Sequence, residues 1–327
     1  MGHNILEVDA EDYVPWRWGG FISKVLRRLF LKIMVDEYNL AILKQAKSSS
    51  YDFVLVFKGL YLRPQTLRIL RSFGKPVYNI YPDVSFVDHG SNIPSALQYY
   101  DCVFTTKSFH SEKEKRDFKI KNLIHVRHGF DPEVHRPVTL STVLIEQYGC
   151  DISFVGCWSP EKERVISYIK KKRKDLKVVV YGIGWEYASA EFKNALGQDL
   201  RSGVYGDELA IVYCASKVNL GLLSRAASNP SIRDQTTTRT FQIPASKAFM
   251  IHEDTPEVRS YFQPNKEIML FDSEEDLLIK LDKVLSNEDL RNTISQKGYE
   301  RCIRVPYDYS EAAKTIVKYF ESTEKSS

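Results

Sequence analysis

Short apolar runs recur along the sequence, each separated from the next by a longer segment with helical spacing, and this alternation limits the folds open to the chain. The runs fall at residues 53–57, 77–80, 102–105, 123–126, 152–155, 178–181, 218–222, 249–251 and 268–271. They are too short to cross a membrane and too continuously apolar for strands with one wet face. Strands buried on both faces of a parallel sheet fit them. Between them, residues 63–73, 160–172, 207–214 and 273–285 have the spacing of amphipathic helices, and 310–320 adds another near the end. Strand–helix alternation of this kind builds parallel sheets covered by helices.

At 327 residues, two such domains fit. The polar stretch HGFDPEVHRPV (128–138) carries two prolines and divides two sets of units. It reads as the connection, with a first domain over 1–135, a second over 136–305, and a last helix and tail (306–327) able to pack back on the first. The tail at 322–327 is polar and expected to fray. Residues 4–8 are the one opening strand candidate, so the first domain is expected to lack its usual first strand–helix unit.

Charge and cysteine content exclude several classes. A net charge of +4 and a pI near 8.6 fall short of a nucleic-acid footprint. The five cysteines are odd in number and widely spaced, without a C-x-x-C, which argues against a disulfide framework or structural zinc and for a reducing compartment. No run approaches the ~20 apolar residues of a membrane span, and the start has no signal-peptide layout; a cytoplasmic location is expected. Residues 16–34, WRWGGFISKVLRRLFLKIM, are basic, aromatic and amphipathic. Such a segment either lies weakly on the inner face of a membrane, or packs Phe21, Val25, Leu29 and Ile33 on a sheet with Lys24, Arg27, Arg28 and Lys32 in solvent.

Three segments can carry chemistry. In DISFVGCWSPEKER (151–164) a strand ends at Gly156 and a helix opens at Ser159-Pro160, a good start signal. Backbone N–H groups at such a turn attract a diphosphate, and Lys162 and Arg164 can add charge-assisted bonds. In VVVYGIGW (178–185), Tyr181, Gly182, Gly184 and Trp185 make either a close approach for a nucleotide or a plain turn capped by a core tryptophan. In SIRDQTTTRTFQIPASKAFMIHE (231–253), a polar loop with Arg233, Asp234 and Arg239 precedes a short apolar segment and a strand. Arginine forks suit phosphate oxygens, and an acid or amide suits ribose hydroxyls. Asp83 and His89, in YPDVSFVDHG, follow a strand where a general base could sit, or form a capped turn. His110, His125 and His135 have no metal-ligand spacing.

The run RDQTTTRTFQIPASKAFM resembles the signature D-Q-x-T-x-R-x-F-E-I-P-A-x-G-x-F-M of the CgeB-type, spore-maturation-like glycosyltransferases, within the glycosyl transferases group 1 C-terminal domain. FVLVFKG, YPD, HGFDPEVHRP, FVG, VYGIGW, VNLGLL and KEIMLFDSEEDL agree in order, so the resemblance covers about residues 52–302. It implies a GT-B fold, two Rossmann-like doubly wound domains facing across a cleft, with the acceptor on the first and a nucleotide-diphosphate sugar, UDP foremost, on the second. It implies sugar transfer without metal. By position, Asp234 and Gln242 stand where related enzymes carry two acids, the second holding the ribose, and Phe241 precedes the second. Lys247 stands where the pattern has glycine and is expected to close the site or touch phosphate. His128, at the connector, is expected to face the cleft. Gln242 and Lys247 leave two further readings, a GT-B-shaped scaffold without turnover and a sugar-nucleotide epimerase.

Overall fold

The computed structural model describes residues 2–14 and 21–324, and of residues 21–27 the helical backbone alone. The chain forms two compact units, one running to Val126 and regaining the chain from Ser322, the other Arg127–Glu321. Trp16, Arg17 and Trp18 of the basic segment and the last residues of the tail lie outside the described part.

The first unit holds a parallel sheet of β1 (Val54–Phe57), β2 (Val77–Tyr81), β3 (Cys102–Thr105) and β4 (Leu123–His125), in that order. Each strand pairs with its neighbour in sequence, with Val54 opposite Val77 and Tyr78 opposite Cys102. Residues 4–8 form no strand, so among the described residues nothing precedes β1 in the sheet. A 28-residue helix, α1 (Phe21–Ser48), leads into β1. Helix α2 (Pro64–Ser72) starts at a proline, which fits a first turn because its missing N–H has no partner there anyway. It buries Thr66, Leu67 and Leu70 in a core with Val77, Tyr81 and Tyr100.

The second unit holds six parallel strands in the order β10-β9-β8-β5-β6-β7. These are β5 (Cys150–Val155), β6 (Val178–Tyr181), β7 (Leu200–Arg201), β8 (Ser216–Gly221), β9 (Met250–Glu253) and β10 (Met269–Phe271). The chain winds one way from β5 and the other way from β8, so the order reverses between these two neighbours. One face carries α3 (Pro160–Lys172) and α5 (Glu274–Leu285), whose Val165, Ile166, Ile169, Leu277 and Leu281 join a core with Ile152, Phe154 and Val218. The other face carries α4 (Thr238–Ala245) and α6 (Glu288–Arg304), with Phe241 and Ile243 in a second core beside Tyr213, Phe262 and Tyr307. A last helix, α7, spans Ser310–Glu324. The first and last segments of this unit meet: Phe130 forms a parallel bridge with Asp308, and Arg127 donates to the Pro306 carbonyl at 2.7 Å.

Candidate nucleotide-sugar site

A parallel sheet opens a crevice at its carboxyl ends where its winding reverses. Here that is between β5 and β8. The turn after β5 is built tightly. A Cβ at Gly156 would come within 2.7 Å of the Arg239 guanidinium, and one at Gly182 within 2.0 Å of the Gly156 carbonyl oxygen. A side chain at Gly182 would have to move backbone, and one at Gly156 would have to displace the Arg239 and Phe154 side chains. Ser159 then caps α3, accepting from the Lys162 N–H, and Pro160 takes the first helical position.

Lys162 follows one turn in and is turned inward. It is buried, donating from Nζ to the Cys157 carbonyl at 3.1 Å and to Ser224 Oγ at 2.9 Å, near the face of Phe154. These bonds tie the turn after β5 to the loop after β8. Burial, and then the nearby charge of Arg239, pull the ammonium down to about 8.

Arg239 differs from expectation. It lies in a helix, because Thr240 Oγ1 accepts from the Thr237 N–H and closes the first turn of α4. Its guanidinium donates to the carbonyls of Val155 at 3.1 Å and Leu222 at 2.7 Å, over the Phe154 ring. It therefore clamps the ends of β5 and β8 where a loop arginine reaching for phosphate was expected. Its Nε is shut off from solvent without a hydrogen-bond partner. Among the described residues, neither Arg239 nor Lys162 forms an ion pair with a carboxylate.

Arg164 and Arg233 fall in a second group. A cavity of about 570 Å³ opens beyond β8, β9 and β10, lined by both arginines with Arg225, Glu253, Asp254 and Glu274. Arg164 pairs with Glu274 at 2.8 Å, and Arg233 donates to the Asp254 carbonyl at 2.9 Å. Glu253 accepts from the Leu223 N–H at 2.7 Å, and burial raises its carboxyl above the usual value. Asp234 is buried, its N–H on the Ser224 carbonyl at 2.8 Å. Ser224, Arg225 and Glu253 belong to no motif that marks them, although a His-Glu pair directly after an apolar run signals a strand end with polar work to do.

The remaining positions make the following contacts. Trp185 is buried, stacks on Phe192, and donates to the Gly156 carbonyl at 2.9 Å, so of its two readings the core one describes its surroundings. Tyr181 is buried and accepts from Arg201. Gly184 precedes the turn Trp185–Tyr187. Phe241 is wholly buried against Tyr261, Phe262 and Tyr307. Gln242 is half-buried and hydrogen-bonds Tyr309. Lys247 is exposed just past the far end of α4, with φ of 56°. This left-handed conformation ending a helix is one that favours glycine, the residue of the family pattern at this position. His252 hydrogen-bonds Thr240 Oγ1 through Nε2 at 2.9 Å and the Glu253 carbonyl through Nδ1 at 2.7 Å, and burial pulls it down to about 4.

In the first unit, Asp83 lies 2.8 Å from Lys58 Nζ and 3.2 Å from His89 Nε2. Burial alone would raise its carboxyl, but the hydrogen bond from His89 and the charge of Lys58 hold it well below the usual range. Lys58 has φ of 59°, a left-handed backbone uncommon outside glycine. His110 is no ligand: its Nε2–H meets the Val84 carbonyl, its Nδ1 accepts from Thr105, and its ring stacks on Phe86. His128 is buried.

The family model described as "Glycosyl transferase-like" matches residues 162–318. No curated protein sequence matches. Among solved structures, sucrose-phosphate synthase from Thermosynechococcus elongatus is similar over 92% of this chain and 80% of its own, at 14% identity and a TM-score of 0.62. Anabaena Alr3699/HepE in complex with UDP and glucose is similar over 88% and 81%, at 12% identity and a TM-score of 0.61. A UDP-forming alpha,alpha-trehalose-phosphate synthase from Burkholderia vietnamiensis is similar over 90% and 78%, at 12% identity and a TM-score of 0.55. These likenesses fix the fold as GT-B, as the two parallel-sheet units require. Within that fold, residues 162–318 match a glycosyl transferase-like domain.

Proposed function

We propose that the second unit holds a nucleotide-diphosphate sugar, with UDP as the nucleotide, where the winding reverses between β5 and β8, and that the sugar passes to an acceptor hydroxyl without metal. One observation carries this: Lys162 and Arg239 are drawn under the strand ends side by side, without a contact ion pair among the described residues, and the carboxylates of Asp234 and Glu253 offset them only from farther off. Charge taken out of water is costly unless an opposite charge meets it. A diphosphate over the Gly156 turn would supply that charge, and the cations would stabilise it as a leaving group. The UDP and UDP-glucose complexes of Alr3699/HepE favour uridine as the base.

In the transfer, the acceptor oxygen bonds the anomeric carbon as the bond to phosphate breaks, and UDP leaves with the electron pair. His89 is the proposed base for the acceptor proton, since donation from Nε2 to Asp83 leaves Nδ1 as acceptor. Gln242 is proposed at the ribose, with Asp234 nearby on the preceding loop. The acceptor is a glycan, glycolipid, protein or small molecule. A cytoplasmic location and peripheral membrane contact through residues 16–34 belong to the same proposal.

Calorimetry against UDP, GDP, dTDP and CMP, each with and without a chelator, tests the reading. UDP is expected to bind best, with unchanged affinity in the chelator. Loss of UDP binding on chelation would remove the metal-free mechanism, and no binding by any nucleotide would remove the site. Gln242→Glu is expected to tighten UDP binding a few-fold through a charge-assisted bond; an unchanged affinity takes Gln242 away from the ribose.

A further inference from the structure

Helix α1 is about 42 Å long at 1.5 Å per residue, and its described side chains meet different surroundings along its length. Toward its end, Tyr38 and Asn39 are buried and Ile42, Leu43 and Ala46 pack on the core of the first unit. Asn39 fixes this half, donating to the Tyr61 carbonyl and accepting from the Arg63 N–H and the Thr66 hydroxyl. Earlier in the helix the described side chains are uncovered. Every described side chain from Arg28 to Ile33 is exposed, with Leu29 at 70%, Phe30 at 46% and Ile33 at 55%. Packing of Leu29 and Ile33 on a sheet, one of the two readings of this segment, is therefore not what the fold does with them.

Leu29, Phe30 and Ile33 share one face by helical spacing, and Arg28 and Lys32, one turn apart, lie beside it. The sequence extends the pattern backward, with Ile22 and Leu26 in register with the apolar face and Lys24 with the basic one. From Tyr13 to Val35 no acid occurs, while Arg17, Lys24, Arg27, Arg28 and Lys32 do. Among the described residues, no helix is long and apolar enough to cross a membrane.

We infer that the early part of α1, with its exposed Arg28–Ile33 stretch, is an in-plane anchor for an anionic phospholipid surface. This rests on the proposed membrane contact and names its lipid and its face. The apolar face sinks to the headgroup boundary while the cations meet lipid phosphates. A second copy of the chain fits poorly, because pairing this face with itself would set Arg28 and Lys32 against their own kind.

The test is flotation of the full chain with vesicles of phosphatidylcholine, with and without phosphatidylglycerol. Phosphatidylglycerol is expected to raise affinity about tenfold or more, and salt to reverse the gain. Leu29→Glu with Phe30→Glu, and separately Arg28→Glu with Lys32→Glu, should each abolish most binding while leaving thermal melting and UDP affinity unchanged. Equal binding to neutral vesicles overturns the anionic choice and leaves the contact. Binding to neither vesicle overturns both. A concentration-dependent dimer that L29E/F30E disperses, without vesicle binding, makes the face a protein interface and overturns the inference.

Discussion

In the four-stranded sheet the strands follow one another in sequence order, and the ionic group at its carboxyl end, Lys58–Asp83–His89, keeps about a third of each side chain in water. In the six-stranded sheet the order reverses between β5 and β8, and the cation at that point, Lys162, is buried beside the clamping Arg239. A reversal parts the connections leaving two neighbouring strands, so side chains can turn inward between them. Without a reversal, charge stays at the rim, where it is solvated and contributes little to stability. The same chain thus carries one set of charges whose cost is small and another that demands compensation.

Substitutions can break this contrast. The largest effect is expected from Arg239→Ala, which removes both bonds joining the ends of β5 and β8. A loss of about 4 kcal/mol in chemical denaturation follows from two charge-assisted bonds, together with loss of UDP binding; an unchanged stability with weaker binding would return Arg239 to a ligand-facing role. Next is acid. His252 in one unit and His110 in the other are held near 4, below the ordinary 6.5. The unfolded chain therefore takes up protons that the folded one refuses between about 6.5 and 4, and stability falls as pH drops through that window, by about 3 kcal/mol for each histidine. His252→Gln and His110→Gln should each flatten part of that slope, and a slope unaffected by both would assign it elsewhere.

A smaller effect, on binding, sharpens the contrast. Lys162→Met should weaken UDP about thirtyfold, the worth of one strong charge-assisted bond, without loss of stability, since a buried charge goes with it. In the unaltered protein UDP affinity should decline as pH rises through about 8, where Lys162 loses its proton, and the variant should lack that decline. The smallest change is expected at the rim: Asp83→Asn should cost about 1–2 kcal/mol, since its two partners hold the carboxyl low but are themselves partly in water. A larger loss would mean that the first unit also depends on its ion pairs.

Much of this fold was legible because its strands are buried on both faces and so are apolar throughout: β3 and β6 have the bounds their apolar runs predict. β7 escaped because two residues, Leu200 and Arg201, carry no pattern. Helix α4 read as a loop because a threonine run and Pro244 mask it, while the bond from the Thr237 N–H to Thr240 that starts it is invisible in composition. In the site, Ser159-Pro160 announced the turn holding Lys162. The work of Arg239 was not readable, because its partners lie 84 and 17 residues away and only the sheet order unites them. The exposure of Leu29 and Ile33 was likewise open, since spacing tells which residues share a face but not what covers it.

The meeting of Arg127 and Pro306 spans 179 residues of sequence. Contacts so distant along the chain form late, because loop closure precedes their reward. During synthesis, the four-stranded sheet has all its strands once His125 has emerged, and can form while the rest is still being made. The six-stranded unit cannot knit its first residues to its last until about residue 309 is available, since the Tyr309 N–H meets the Phe130 carbonyl. The half of the molecule proposed to carry the nucleotide-sugar site is therefore the half whose sheet is completed later in synthesis.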